Sequence, residues 1–254
     1  MLPALVAFDF DIGTVWEFLF NPVIMRGVWM TLRVAVIAQA MGIALGVIFA
    51  LLQMSRSLPF KAIAGFYIWF FRGTPVLVQL LALKFGMPGL FDDPDIAREF
   101  TFFRVAIVAL GVNEGAYMTE IVRAGILSVE EGQMDAAKSL GMTYLQAMRR
   151  VILPQAMRVM IPPTGNEFIA MLKNTSLAFA IGLVELLASA RLIYSVNFKI
   201  MELLVVASIW YLTMTTVLSL LQAELERALT ISERERPETL FSRVLTIMGG
   251  RRGI

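Results

Sequence analysis

The sequence predicts an all-α integral membrane protein of about five spanning helices, with a polar helix–turn–helix loop between the third and fourth. Three observations carry this. Of 254 residues, 58% are hydrophobic and only 17% charged, and the mean hydropathy is +0.73. A soluble domain of this length must show water a polar surface, and so much apolar material leaves too little polar surface to do it. Apolar runs long enough to cross a bilayer alternate with charged connectors. The Lys and Arg residues are also distributed unevenly between alternate connectors.

Composition excludes several function classes. There are no Cys and no His, which excludes disulfides, the usual Cys/His zinc sites and histidine proton shuttles. A formal net charge of +2 argues against a nucleic-acid binder that relies on a large positive field. The first 27 residues carry Asp9, Asp11 and Glu17 and lack a basic stretch ahead of an apolar one. They are expected to lie outside the membrane or on its surface rather than to be a cleaved signal.

The first span is expected over 28–54. Arg33 near its start can snorkel to the interface. Ala38, Gly42, Gly46 and Ala50 put a small residue at every fourth position, a stripe that admits a close neighbouring helix, within the same bundle or across a dimer. After a polar hinge at Arg56, Ser57, Pro59 and Lys61, the second span covers 62–85. Arg72-Gly73-Thr74-Pro75 interrupts it, because Pro75 removes a backbone donor and Gly73 loosens the same turn. Such a break at membrane depth needs protein or a water-filled cavity around the freed backbone groups, so these four residues form a candidate gate or a structural kink. A loop rich in Pro, Gly and acid follows, with Asp92, Asp93, Asp95 and Glu99. The remaining spans are expected over 103–122, 161–187 and 202–222, with a charged tail over 223–254.

Basic residues accumulate at Arg56 and Lys61, through Arg123, Lys138, Arg149, Arg150 and Arg158, and through the arginines from Arg227 to Arg252. The opposite side has Arg26, Lys84, Arg98, Arg104, Arg191 and Lys199. The richer side reads as cytoplasmic, which places the N-terminus outside and the C-terminus inside.

The loop over 128–154 holds two helix starts, Ser128-Val129-Glu130-Glu131 and Thr143-Tyr144-Leu145-Gln146, each fitting a capping box. Gly141 stands between them, where a helix ends in a left-handed residue. The expected form is helix, glycine turn, helix, stopped at Pro154, with Ala136 and Ala137 as a smooth docking surface. A headgroup-bound amphipathic helix with Arg149 and Arg150 on phosphate, a DNA-binding helix–turn–helix and a solvated connector fit the same pattern.

At this loop the chain resembles a family. MDAAKSLG over 134–141 and VILP over 151–154 are similar to the EAA loop of the membrane subunits of bacterial ABC importers, with Asp135, Ala136, Ala137, Gly141, Leu153 and Pro154 at the matching spacing. FFRGTPVLVQ over 70–79, GAYMTEIVRAGI over 115–126 and NEFIAMLKNTSLAFAIGLVEL over 166–186 narrow the resemblance to the permeases for polar amino acids. Asp135 stands where the family usually has Glu, Val151 where it has Ile, and Met134 where Trp is common. The resemblance implies the type I importer permease fold and a chain that lines a path for an amino acid without being an enzyme. It also implies residence in the bacterial inner membrane. The implied partners are a second permease subunit, identical or paralogous, two ATP-binding cassette ATPase subunits holding ATP and Mg, and an extracytoplasmic amino-acid-binding protein. The loop, including Gly132, is then the coupling element that seats in the ATPase. No GxxxxGK[ST] occurs in the chain, so it cannot cradle ATP phosphates in that way.

Polar residues inside spans are costly and point to function. Asn113, Tyr117 and Glu120 share a face of the third span, with Glu114 beside them. Asn166, Glu167, Lys173 and Asn174 are expected to form one broad polar face of the fourth. A water-accessible path for a zwitterion would use Glu114 or Glu167 for an ammonium group, and Asn166, Lys173 or Asn174 for a carboxylate. The competing roles are structural: Glu120 paired with Arg123, and Lys173 and Glu185 as interfacial anchors at helix ends. An ion-coupled carrier would show an internal repeat, and an enzyme would need a nucleophile–base pair; neither is evident.

Overall fold

The computed structural model describes residues 10–90 and 98–229. The expectations for Asp92, Asp93 and Asp95, and for the tail beyond 229, lie outside the described residues. Among the described residues the regular structure is entirely helical.

Local chemistry sets the helix starts. Helix α1 (Ile12–Leu19) is capped by Asp11, whose carboxylate accepts from the Gly13 N–H at 2.9 Å. Helix α2 (Pro22–Met54) is capped by Asn21, which accepts from the Val23 N–H at 2.9 Å, with Pro22 pre-set in its first turn. At 33 residues it is about 50 Å long, longer than the ~30 Å hydrocarbon core, and it begins ahead of the expected span. Helix α3 (Leu58–Gly73) is separated by Thr74 and Pro75 from α4 (Val76–Leu81), which runs on through a π turn (Ala82–Gly86) and a 3-10 turn (Met87–Leu90). Helix α5 (Phe102–Leu127) starts where Thr101 accepts from the Arg104 N–H at 3.3 Å. Helices α6 (Glu131–Ser139) and α7 (Tyr144–Ala147) form the polar hairpin, and α8 (Leu153–Asn174), α9 (Leu186–Asn197) and α10 (Ile200–Leu229) complete the chain.

Helices α2, α5 and α10 are each long and apolar enough to cross a membrane. Two broken segments bring the number to five if each counts as one span: α3 with the run Val76–Leu90, bent by 100°, and Tyr144–Ile181 with α9, bent by 49°. A bend of 100° is far more than a kink, because Pro75 ends α3 outright. Helix α9 was not expected. Gly182, at φ 97°, ends the preceding 3-10 turn, and Glu185 restarts the chain by accepting from the Leu187 and Ala188 N–H groups at 2.9 and 2.8 Å. Glu185 is fully buried and also accepts from the Tyr211 hydroxyl at 2.8 Å. It is a buried cap and not the interfacial anchor that its position suggested.

Helices α2 and α5 form the centre of the bundle. Ala38, Gly42, Gly46 and Ala50 are all buried, and the stripe serves packing within the chain. A Cβ on Gly42 would lie 2.5 Å from Glu114 Cγ, and one on Gly46 would lie 2.4 Å from Met118 Cβ. Lipid offers no hydrophobic drive for helices to associate, so this close contact is what van der Waals attraction and buried hydrogen bonds can use. The outer faces carry exposed apolar side chains such as Phe66, Trp69 and Leu212, as lipid contact requires.

Candidate functional site

The break between α3 and α4 meets α5 and α8 around a cleft of about 450 Å³. It is lined by Arg72, Gly73, Thr74, Pro75 and Val76 from the break, by Asn113, Glu114 and Tyr117 from α5, and by Glu167 and Asn174 from α8. The residues expected as a gate and most of those expected along a pathway therefore share one site. Glu114 is 4% exposed and sits deepest, while Arg72 and Asn174 are exposed. Gln39 of α2 donates to Glu114 Oε1 at 3.3 Å. The Arg72 guanidinium lies over the Tyr117 ring, 5.1 Å from its centre, a cation–π contact that keeps the cation beside the cleft.

The broken backbone is satisfied by side chains. In an unbroken helix the Phe71 carbonyl would accept from residue 75, but proline has no N–H to give. Asn113 Nδ2 donates to that carbonyl at 2.7 Å, and Gln79 Nε2 donates to it at 3.1 Å. Gln79 Nε2 also donates to the Thr74 carbonyl at 3.1 Å and to Thr74 Oγ1 at 2.8 Å. Thr74 Oγ1 in turn donates to the Phe70 carbonyl at 2.8 Å. Asn113 Nδ2 donates further to Gln79 Oε1 at 3.2 Å. Sequence reasoning named neither Gln79 nor Gln39 as a site residue. A polar amide shortly after a proline break was the available signal for Gln79, and an amide within a small-residue stripe was the signal for Gln39.

The single polar face expected on the fourth span is in fact two. Glu167 and Asn174 are seven positions apart and line the cleft. Asn166 and Lys173, each one residue earlier, are rotated by about 100° and line no part of it. Asn166 Oδ1 instead accepts from Gln222 Nε2 at 3.3 Å, and Lys173 is exposed. Glu120 also stays outside and holds Arg123 at 3.2 Å, as the structural alternative expected. Among the described residues no three or more Asp, Glu, His or Cys side chains cluster in a way that could hold a metal ion.

The hairpin of α6 and α7 is the second site. Gly141, at φ 81°, ends α6 in a left-handed turn: the Met142 N–H donates to the Ala137 carbonyl at 3.1 Å and the Gly141 N–H to the Lys138 carbonyl at 2.9 Å, which is a Schellman motif. The Thr143–Gln146 capping box forms in both directions. The expected box at Ser128 does not. Helix α5 runs on to Leu127 with Ser128 as its C-cap, and the Ser128 hydroxyl donates back to the Gly125 carbonyl at 2.8 Å. Nor does Pro154 stop a helix: it occupies the first turn of α8, where no donor is required, after a π turn over Met148–Ile152. Gly132, Asp135, Ala136, Gly141, Leu153 and Pro154 are exposed, but Ala137 is buried, so the smooth surface expected from two alanines rests on Ala136 alone. Its apolar part comes from residues that sequence reasoning passed over: Leu140 is 80% exposed, Leu145 74% and Tyr144 62%.

Known proteins resemble this chain closely. The profile of the family described as binding-protein-dependent transport system inner membrane component matches residues 42–231. The arginine transport system permease protein ArgU of Corynebacterium glutamicum is 40% identical, over 93% of this chain and 77% of its own. The probable amino-acid permease protein YxeN of Bacillus subtilis is 41% identical, over 85% of this chain and 96% of its own. A crystal structure of an amino acid ABC transporter aligns with a TM-score of 0.77 and 38% identity, covering 87% of this chain and 99% of that one.

Proposed function

Because this chain belongs to the family of inner membrane components of binding-protein-dependent transport systems, we propose that its cleft is the point on the translocation path where an amino acid with a basic side chain rests. The observation that carries the proposal is that helices far apart in sequence bring Arg72, Glu114 and Glu167 to one cavity within a bundle of membrane-spanning helices. Ionisable groups are too expensive there to be placed without a function. Two carboxylates face one guanidinium, so the lining carries an excess of acid. Arg72 and the Asn174 amide suit an α-carboxylate, and Glu114 and Glu167 suit ammonium or guanidinium groups. The name of the arginine permease ArgU points the same way.

The chain is the membrane-spanning, non-catalytic part of such an importer, and the hairpin is its contact with a separate ATPase that binds ATP and Mg. Support comes from the exposed apolar group of Leu140, Tyr144 and Leu145 beside Asp135 and Ala136, on the side richer in Lys and Arg. That side is cytoplasmic in this reading, with the N-terminus outside. A second permease subunit and an extracytoplasmic amino-acid-binding protein complete the assembly. ATP binding acts by making different contacts with the inward- and outward-open forms. The path residues on this reading are Arg72 through Pro75, Asn113, Glu114, Tyr117, Glu167 and Asn174; Asn166 and Lys173 are not among them.

Reconstitution of the complex in vesicles, with uptake measured across cationic, neutral and anionic amino acids, tests the proposal. Glu167→Gln is expected to raise KM for cationic substrates by about tenfold, the loss of one charge-assisted contact. Uptake of cationic and neutral amino acids that responds identically to Glu167→Gln would refute the cleft assignment.

A further inference from the structure

Gln79 lies outside the cleft yet touches two residues that line it. Its carboxamide donates to Thr74 through Nε2, and its Oε1 accepts from Asn113 Nδ2 at 3.2 Å. Asn113 Nδ2 also donates to the Phe71 carbonyl at 2.7 Å. An amide nitrogen has two hydrogens, so both N–H groups of Asn113 are committed to the protein. This fixes which way the Asn113 amide points: its NH₂ is turned toward the break, and Oδ1 is the atom left to accept.

We propose that Gln79 is a specificity-positioning residue that locks the Asn113 amide so that the cleft meets its occupant with a carbonyl oxygen and not with an NH₂ group. The inference rests on the reading of the cleft as an amino-acid site. The lock needs both partners. The Phe71 carbonyl, which Pro75 cannot serve, takes one Asn113 hydrogen beside the one that Gln79 Nε2 gives it at 3.1 Å, and Gln79 Oε1 takes the second Asn113 hydrogen. Without Gln79 the second N–H of Asn113 loses its acceptor, so a flipped amide forfeits one Asn113 hydrogen bond, that to Phe71, instead of two. An NH₂ group turned into the cleft repels ammonium and guanidinium groups and welcomes carboxylate. Gln79 thus favours cationic over neutral or anionic occupants without touching them.

The test is equilibrium competition between L-arginine and L-glutamine on the purified transporter complex without its binding protein, which removes that protein's own selectivity. Gln79→Leu is expected to lower the arginine-to-glutamine affinity ratio by about fivefold to tenfold, the effect of a reoriented half-buried hydrogen-bonding group. Gln79→Met serves where the leucine variant does not insert. Gln79→Glu is expected to hold the ratio at or above wild type, because a carboxylate still accepts from Asn113 and adds negative charge beside the cleft, while giving up the bonds to Phe71 and Thr74. Equal loss of the ratio in Gln79→Leu and Gln79→Glu would show that Gln79 merely supports the turn, and would overturn the inference. An unchanged ratio in Gln79→Leu beside a shifted one in Glu167→Gln overturns the inference and leaves the cleft standing. No shift in either variant removes the cleft reading, and the inference with it.

Discussion

Replacing Leu145 by Ser on the hairpin should weaken ATPase docking without harming the fold. Burying a Leu side chain completely contributes about 1.5–3 kcal/mol. Leu145 is 74% exposed in the isolated chain, so about three quarters of that gain, roughly 1–2 kcal/mol, is unspent until a partner covers it. Each 1.4 kcal/mol is tenfold in affinity, so Leu145→Ser should raise the Kd for the ATPase subunit by about 5- to 30-fold. Leu140, 80% exposed, should behave alike. The double variant should fall short of the product if one pocket receives both side chains, since neighbours in contact are not additive. The assay is titration of the ATPase subunit onto the permease in nanodiscs, with circular dichroism and thermal unfolding as controls. Those controls should not move, because an already solvated side chain contributes little to folding. A Kd within twofold of wild type, with the fold intact, would refute the assignment of the hairpin as the docking element.

Gly141→Ala forces a side chain onto a residue at φ 81°, at a cost of about 1–2 kcal/mol; faster amide exchange confined to residues 131–147 is the expected readout. Gly46→Val should destabilise the α2–α5 contact by about 1–3 kcal/mol or more, since its Cβ would lie 2.8 Å from the Met118 backbone carbon. Gly65→Ala, with nothing within 4 Å, is the neutral control in the same thermal-unfolding series. The Thr14 hydroxyl and then the Gly13 N–H hold the Asp11 carboxyl below the usual carboxylate range. Its capping of α1 is therefore fully present above the unfolded value near 3.9 and fades as pH falls through the lower folded value. Trp16 fluorescence should report this fraying on acidification in wild type, and at all pH values in Asp11→Ala.

The apolar helices, the hairpin and the break were legible because each is a local property. Hydropathy sums over about twenty neighbours, a capping box closes over four residues, and a proline deletes one known hydrogen bond. Thr143 with Gln146, Gly141 and Pro75 behave as their neighbourhoods dictate. Ser128 misled because the apolar run of α5 continues to Leu127, and a helix already under way outcompetes a new start within it.

What tertiary packing decided was direction. Sequence could place Asn166, Glu167, Lys173 and Asn174 on one side of a helix, but not the rotation that turns Glu167 and Asn174 into the cleft and leaves Asn166 and Lys173 outside. It could mark Ala136 and Ala137 as small, but not that Ala137 faces inward. It could find the break at Pro75, but not its 100° angle, nor that Gln79 and Asn113 would fill the missing hydrogen bond from either side. The physical reason is common to all of these. A helix's own hydrogen bonds are indifferent to rotation about its axis, so its orientation is set by what it packs against. For this chain that is chiefly the close contact of α2 with α5 at Gly42 and Gly46.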